Sequence, residues 1–183
     1  MSENLLNQLE EFQKQYYTEN TKNTFFKKSQ KSDLAQKISE SIDIQQLLNE
    51  TSYSNEATNK VFINYSVFKM FANPNNYDAI ITHILGLFQG KINSSDNYEC
   101  HINLNGFTVS AAERYKDFVK AFCNRCLGGT TPYSSKLFKM CIYHPSTMIQ
   151  QISKLFTPFT TPEVRDKVII MTKAESDRHW PLQ

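Results

Sequence analysis

Residues 137–170 read LFKMCIYHPSTMIQQISKLFTPFTTPEVRDKVII, in which two short apolar runs flank a longer amphipathic stretch. The first run, 137–143, and the last, 168–171, have the length and the β-branched and aromatic content typical of strands. Between them, residues 147–156 place apolar side chains at helical spacing, and Thr161-Pro162 combines an N-cap threonine with a proline at the first helical position. The stretch therefore predicts a strand–helix–strand unit, the connection that parallel strands require.

The same alternation of strands and helices begins at Val61. Residues 61–68 are β-branched and aromatic, and residues 98–104 alternate apolar and polar side chains, so both segments are predicted strands. The other predicted elements are a turn at 73–76, a helix over 77–88 stopped by Gly90, and a helix opened by a capping box at 110–113 and ended by 128–129. This order predicts an α/β fold, a mostly parallel sheet covered by helices.

The first sixty residues have a different composition, with seven basic and nine acidic side chains against thirteen and nine in the remainder. We expect a helix over about 3–17, a loop over 18–30, and an amphipathic helical stretch from Leu34 to Leu48 with Ser32 as its N-cap. Residues 49–60 carry no periodicity and are predicted to be a connector. The chain is thus divided into an N-terminal helical arm, 1–60, and a domain, 61–183.

Composition restricts the classes of function. The net charge of +2 over 183 residues is too small for a dedicated nucleic-acid binder. No apolar run is long enough to span a membrane, and the N-terminus lacks the pattern of a secretory signal, so we expect a soluble cytoplasmic protein. The excess of lysine over arginine and the abundant asparagine are typical of an AT-rich genome, such as that of a protist or a giant DNA virus. If the genome is viral, we expect the protein in the host cytoplasm or in the virion.

Two patterns raise the question of metal binding or catalysis. Cys123-x-x-Cys126 has the spacing of a zinc ligand pair, to which Cys100, His101, Cys141 and His144 could add. The pair falls inside a predicted helix and lacks a second close pair, so buried free thiols are the favoured interpretation. Cys141 and His144 lack an orienting third group, and no glycine-rich phosphate loop is present. We therefore expect no metal, no cofactor and no enzymatic activity.

From Val61 to Lys173 the sequence resembles the CRAL-TRIO lipid-binding family, and in particular its divergent branch found in BCH domains and beside RhoGAP domains. Three segments carry the resemblance: Tyr98–Phe107, with its strand and turn; Leu137–Met148, with its His144-Pro145 after a strand; and Ile152–Phe159, followed by Val164–Ile170. The last segment resembles the gate helix of the family and the strand that follows it.

The resemblance implies a sheet that forms the floor of an apolar pocket, with Ile149–Phe159 as a movable gate. The residues it assigns to ligand binding are Tyr98, Cys100 and Ile102 in the sheet, Ile149, Ile152, Leu155, Phe156 and Phe159 in the gate, and Lys167, which corresponds to a headgroup-binding lysine. Ser135 stands where the acidic partner of that lysine is expected. The implied function is non-catalytic binding of a lipid or other small hydrophobic ligand.

Two alternatives remain open from the sequence. Helical spacing alone does not distinguish a gate from an ordinary core helix at 149–156. The BCH-like features also suggest a protein-interaction module that engages small GTPases or their regulators, or one that contacts a membrane surface.

Overall fold

The computed structural model describes residues 3–20, 27–128 and 131–181. The strands are β1 (Ser52–Ser54), β2 (Lys60–Asn64), β3 (Tyr98–Asn103), β4 (Leu137–Tyr143) and β5 (Val168–Ile170). The helices are α1 (Glu3–Glu19), α2 (Lys27–Ser41), α3 (Ile44–Thr51), α4 (Tyr65–Phe71), α5 (Tyr77–Ser95), α6 (Val109–Arg114), α7 (Lys116–Cys126), α8 (Pro132–Lys136), α9 (Ile149–Phe156), α10 (Pro162–Asp166) and α11 (Lys173–His179), with a 3-10 turn at Thr157–Phe159. Within the described residues, no helix is both long enough and apolar enough to cross a bilayer.

The five strands form one sheet in the order β1-β2-β3-β4-β5. β1 pairs antiparallel with β2, and the other three neighbouring pairs are parallel. Each parallel connection moves to the adjacent strand in the same direction, so right-handed crossovers put the connecting helices on one face. The predicted α/β class and mostly parallel sheet are confirmed.

The face of the sheet beneath these helices is apolar in regular rows. The strand register places Ile63, Ile102, Ile142 and Ile170 side by side across four strands. We call these four residues the isoleucine row. A second row lies two residues closer to the amino ends of the strands. It consists of Val61, Cys100, Met140 and Val168. Successive side chains of a strand point to opposite faces, so the alternation seen in the sequence produces these rows.

The opposite face is also largely buried, although it carries polar and aromatic side chains. His101 is 4% exposed, and its ring nitrogens lie 3.0 Å from Glu99 Oε2 and 2.9 Å from the Tyr143 hydroxyl. Trp180, at the end of α11, contacts the rings of Phe62 and Tyr143 edge-on or tilted. α11 was not predicted from the sequence, although its capping box, Thr172 with Glu175, is fully formed.

The helices α1, α2 and α3 pack into the same hydrophobic core. Leu5, Leu9, Ile38 and Leu47 are fully buried and belong to one cluster with α4 and α5. Residues 52–54, expected to be part of a connector, instead form the edge strand β1. The division at residue 60 into an arm and a domain stays a prediction.

Several predicted boundaries were wrong because a polar side chain caps a helix at an unexpected position. The strand predicted over 61–68 stops at Asn64, whose side chain accepts a hydrogen bond from the backbone of Ser66 (3.0 Å) and starts α4. Thr108, rather than Ser110, is the N-cap of α6 and accepts from the Ala111 backbone (3.2 Å). Asp43 caps α3, and Ser32 lies inside α2.

Other boundaries moved outward. The helix predicted to end at Gly90 continues to Ser95, and Asp96 ends it in the left-handed conformation (φ 62°). Gly90 lies where a side chain would point into open space. No close contact therefore requires the helix to end at this glycine. α2 begins at Lys27, inside the stretch predicted to be a loop, and α9 begins at Ile149, two residues later than predicted.

Candidate ligand-binding cleft

An apolar cleft of about 480 Å³ lies between the isoleucine row and the helices above it. All four isoleucines of the row line its floor, together with Met140 and Val168 from the neighbouring row. Pockets for small molecules commonly enclose about 300–1,000 Å³, and this cleft falls within that range. The floor consists of aliphatic side chains and one methionine and offers no polar side chain to water, so the cleft suits an apolar ligand.

The walls of the cleft come from α4, α5, α7 and α9. Aromatic side chains dominate one wall: Tyr65 and Phe68 from α4, Phe107 from the loop after β3, and Tyr115, Phe118 and Phe122 at or in α7. These rings contact one another, for example Tyr65 on Phe107 at 4.8 Å between centroids and Phe68 on Phe118 at 4.7 Å. The aromatic wall is a packed unit that holds the cleft open on that side.

The opposite wall is α9, whose inner side contributes Ile149, Ile152, Ser153 and Phe156 to the cleft. Only Ile152 of this helix is fully buried, at 2% exposure. By contrast, α5 buries Ile80, Ile81, Ile84, Leu85 and Phe88. α9 is therefore attached through far fewer buried side chains than α5.

The structure brings four of the predicted site residues to the cleft: Ile102, Ile149, Ile152 and Phe156 line it. Tyr98 and Cys100 lie on the same sheet face, but they are buried beneath the helices and do not line the cleft. The Tyr98 ring stacks on Phe88 with 4.3 Å between centroids, and its hydroxyl donates to the Tyr133 carbonyl (3.0 Å). Whether any of these six contacts a ligand stays a prediction.

The remaining three predicted site residues lie beside the cleft without lining it. Leu155 and Phe159 are half-buried against the core. Lys167 points to the end of α8, where its Nζ donates to the carbonyl of Ser134 (3.1 Å). Ser135, the position of the missing acidic partner, is exposed in that same short helix. The role of Lys167 in headgroup binding stays a prediction.

The lining residues that sequence reasoning missed are chiefly those of the aromatic wall. Tyr65 was assigned to a strand, so its position at the first turn of α4 was not foreseen. The signal was present in Asn64, an efficient N-cap residue directly before it. Ile63, Ile142 and Ile170 were assigned to strands, but only the register shows that they meet Ile102 in one row.

Burial favours the neutral forms of two tyrosines and one cysteine that line the cleft. Burial raises the pKa of Tyr65 and of Tyr115 above the usual value for tyrosine, and the charge of Arg114 opposes this shift in both. Burial also raises the pKa of the Cys123 thiol, which lines the cleft, to about 12. Cys123 is thus a neutral thiol at physiological pH and not an activated nucleophile.

The residues considered for metal binding or catalysis are dispersed. Cys126 is fully buried and its thiol donates to the Phe122 carbonyl (2.9 Å), whereas Cys141 lies on the opposite sheet face, in register with His101. The ring nitrogens of His144 contact Asn103 Oδ1 (3.1 Å) and Asp177 Oδ1 (3.2 Å). Among the described residues, no three His, Cys, Asp or Glu side chains are grouped as metal ligands.

Comparison with known proteins gives a similarity in fold alone. No family model matches the sequence, and no curated protein matches it. Among solved structures that do match is the crystal structure of Sfh5, a Sec14-like protein of the CRAL-TRIO family, with a TM-score of 0.51 and 16% sequence identity. The match covers 63% of this chain and 42% of the Sfh5 chain. The chain therefore has a Sec14/CRAL-TRIO-like fold, while the BCH type and the source genome stay predictions.

Proposed function

We propose that this chain binds a lipid or another small hydrophobic molecule in the cleft and that it is not an enzyme. The observation that carries the proposal is the floor of the cleft, in which four isoleucines from four strands present a continuous apolar surface. The Sec14/CRAL-TRIO-like fold supports binding of this class of ligand, in agreement with the sequence resemblance.

Binding of this kind is driven by the removal of apolar surface from water, at about 0.8 kcal/mol for each buried methylene group. Every two added methylene groups should therefore tighten binding roughly tenfold until the cleft is full. The test is displacement of Nile red, an uncharged fluorescent probe, by octanol, decanol and dodecanol. Affinity that rises with chain length supports the proposal, and affinity independent of chain length, or no binding of the probe, contradicts it.

We further propose that α9 is the gate of the cleft. It is held by one fully buried side chain, Ile152, which contributes about 1.5–3 kcal/mol, so it should separate from the sheet more easily than α5. The comparison to make is amide hydrogen exchange of α9 and α5, with and without dodecanol. A gate requires fast exchange in α9 that slows on binding, and equal protection of α9 and α5 in the free protein would contradict it.

The GTPase-engaging alternative stays a prediction, because no contact or surface of the described residues favours it over ligand binding. The chain-length series separates the two functions: a protein-interaction module with a collapsed cleft would bind none of the alcohols.

A further inference from the structure

The helix α11 covers the sheet face opposite the cleft and is held there by few side chains. Ser176 is its one buried residue, at 0% exposure, and Trp180, directly after the helix, is half-buried against the rings of Phe62 and Tyr143. The other residues of α11 are exposed. A segment attached through so few buried groups should open locally at a small cost in free energy. We call residues 173–180 the strap.

The strap is tied to the end of β4 through His144. The backbone N–H of His144 donates to Ser176 Oγ (2.9 Å), and its ring Nε2 lies 3.2 Å from Asp177 Oδ1. The other ring nitrogen, Nδ1, lies 3.1 Å from Asn103 Oδ1, at the end of β3. The His144 side chain is 24% exposed, so these contacts are partly shielded from water. His144 therefore joins the strap to two neighbouring strands.

Both partners of the His144 ring are hydrogen-bond acceptors. Asp177 presents a carboxylate, which only accepts. Asn103 Oδ1 also accepts the backbone N–H of Asn105 (3.0 Å), which fixes this atom as the amide oxygen. A neutral imidazole carries one N–H and can donate to one of the two oxygens, whereas an imidazolium donates to both. The hydrogen bonds of the docked strap are thus complete only when His144 carries two protons.

Other titratable side chains lie on the elements that meet here. They are Lys173, Glu175, Arg178 and His179 in the strap, Glu99, His101, Lys139, Cys141 and Tyr143 in the sheet, and Lys69 of α4, beside Gly106 in the turn after β3. Glu175 is used in the capping box with Thr172. In the described part of the chain, Asp177 forms its ion pair with His144 and with none of these cations. The pair of His144 and Asp177 is therefore the charged link between strap and sheet.

We propose that the strap is a pH-sensitive cover of this sheet face, docked while His144 is protonated and released as the pH rises and His144 loses its second proton. Histidine is the side chain that ordinarily changes charge between about pH 5 and 8. Loss of the proton leaves Asp177 or Asn103 without a donor, and one such hydrogen bond shifts an equilibrium about threefold to tenfold. Release uncovers Phe62 and Tyr143. The inference concerns the face opposite the cleft and does not rest on the proposed function.

The buried histidine beneath the strap acts in the opposite direction. His101 shares ring contacts with Phe62 and Tyr143, and burial lowers its pKa. Protonation of His101 as the pH falls disfavours the folded sheet, so loosening caused by His101 appears at low pH. Loosening caused by His144 appears at high pH. The sign of the pH dependence therefore identifies which histidine is responsible.

The primary measurement is amide hydrogen exchange of residues 173–179 at about pH 5.5 and about pH 8.5, expressed as protection factors so that the intrinsic pH dependence of exchange is removed. We expect about threefold to tenfold lower protection of the strap at the higher pH and unchanged protection of β4. Trp180 is the one tryptophan of the chain, so its fluorescence reports on the strap directly. Quenching of Trp180 by acrylamide should increase over the same interval.

Two substitutions separate the charge from the fold. Asp177→Asn supplies an amide that can donate to the unprotonated Nε2 of His144, so its strap should stay docked at both pH values. His144→Asn removes the ring and places a residue that tolerates the left-handed conformation found there (φ 46°), so its strap should be loose at both. His101→Gln and His179→Gln are the matched controls, and each should keep the wild-type dependence. The remaining histidine, His83, lies on α5 and contacts the Ser52 carbonyl (3.0 Å).

Three outcomes overturn the inference. Equal protection of the strap at the two pH values would show that docking does not depend on the charge of His144. Loss of protection at the lower pH would give the change the sign expected of His101. A pH dependence that survives in His144→Asn and disappears in His101→Gln or His179→Gln would place the switch at another histidine. If His144→Asn does not fold, Asp177→Asn decides, because Asp177 is exposed and the full wild-type dependence in that variant contradicts the proposal.

Discussion

Two cysteines one helical turn apart allow the cleft to be tested by adding volume. Cys123 and Cys126 both lie on α7 and are 3% and 0% exposed. Cys123 lines the cleft, whereas Cys126 is enclosed by protein and its thiol donates to the Phe122 carbonyl. The same substitution, cysteine to phenylalanine, therefore fills a void at one position and overpacks the core at the other.

The two variants should differ in the sign or size of their effect on stability. Cys126→Phe forces a ring into a filled space and removes a buried hydrogen bond, which should cost about 1–3 kcal/mol of unfolding free energy or more. Cys123→Phe places the ring in the 480 Å³ cleft, where the buried aromatic surface compensates for local adjustment. Cavity filling commonly stabilises by about 0.5–2 kcal/mol, so we expect no loss beyond about 1 kcal/mol.

The assay is urea unfolding of the ligand-free variants, followed by Nile red titration of each variant that folds. Cys123→Phe should weaken Nile red binding about tenfold or more, because the ring occupies the binding space. Cys123→Ser, which changes the thiol without adding volume, is the control for the loss of the sulfur. Equal destabilisation by the two phenylalanine substitutions would refute the reasoning, since it would mean that the cleft is collapsed in solution.

Four further predictions concern the gate, the buried histidine, a helix cap and metal content. Phe156→Asp, at the half-exposed edge of the gate, should weaken Nile red binding more than it lowers the melting temperature. Ile152→Asp, by contrast, buries an unpaired carboxylate and should lower the unfolding free energy by several kcal/mol. A collapse in melting temperature for both variants would show that α9 is ordinary core. Burial lowers the pKa of His101 despite its bond to Glu99, so the unfolded state binds more protons below about pH 6.5, and the unfolding free energy should fall as the pH drops through that window. A His101→Gln variant that keeps the full pH slope would argue against this origin. Thr172→Ala removes the capping box of α11 and should lower the unfolding free energy by about 1 kcal/mol, measured by thermal unfolding. No change in stability would indicate that α11 is frayed in solution. Elemental analysis should find no stoichiometric zinc, and one zinc per chain that is lost in Cys123→Ser would reverse this expectation.

Local patterns in the sequence were sufficient for much of the fold. The strand over 137–143, the strand over 98–104 and the helix start at Thr161-Pro162 were predicted at or within one residue of their observed positions. Each depends on side chains within a few residues of one another, namely β-branched or aromatic runs and an N-cap followed by proline. In the run from Val61 to Phe68, strand propensity overlaps with the N-cap signal of Asn64. Strand propensity alone predicts one continuous strand, whereas the structure changes to a helix at Tyr65.

The site was predictable only in part, for a physical reason. Ile102, Ile149, Ile152 and Phe156 could be selected because apolar periodicity marks the inner side of a strand or helix, and they do line the cleft. Tyr98 has the same pattern as Ile102, yet the tertiary structure covers it with Phe88. Sequence periodicity determines which side of an element is buried, whereas the register of neighbouring strands and the seating of the helices determine what buries it. The isoleucine row exists only where separate strands meet, so only the tertiary structure decided it.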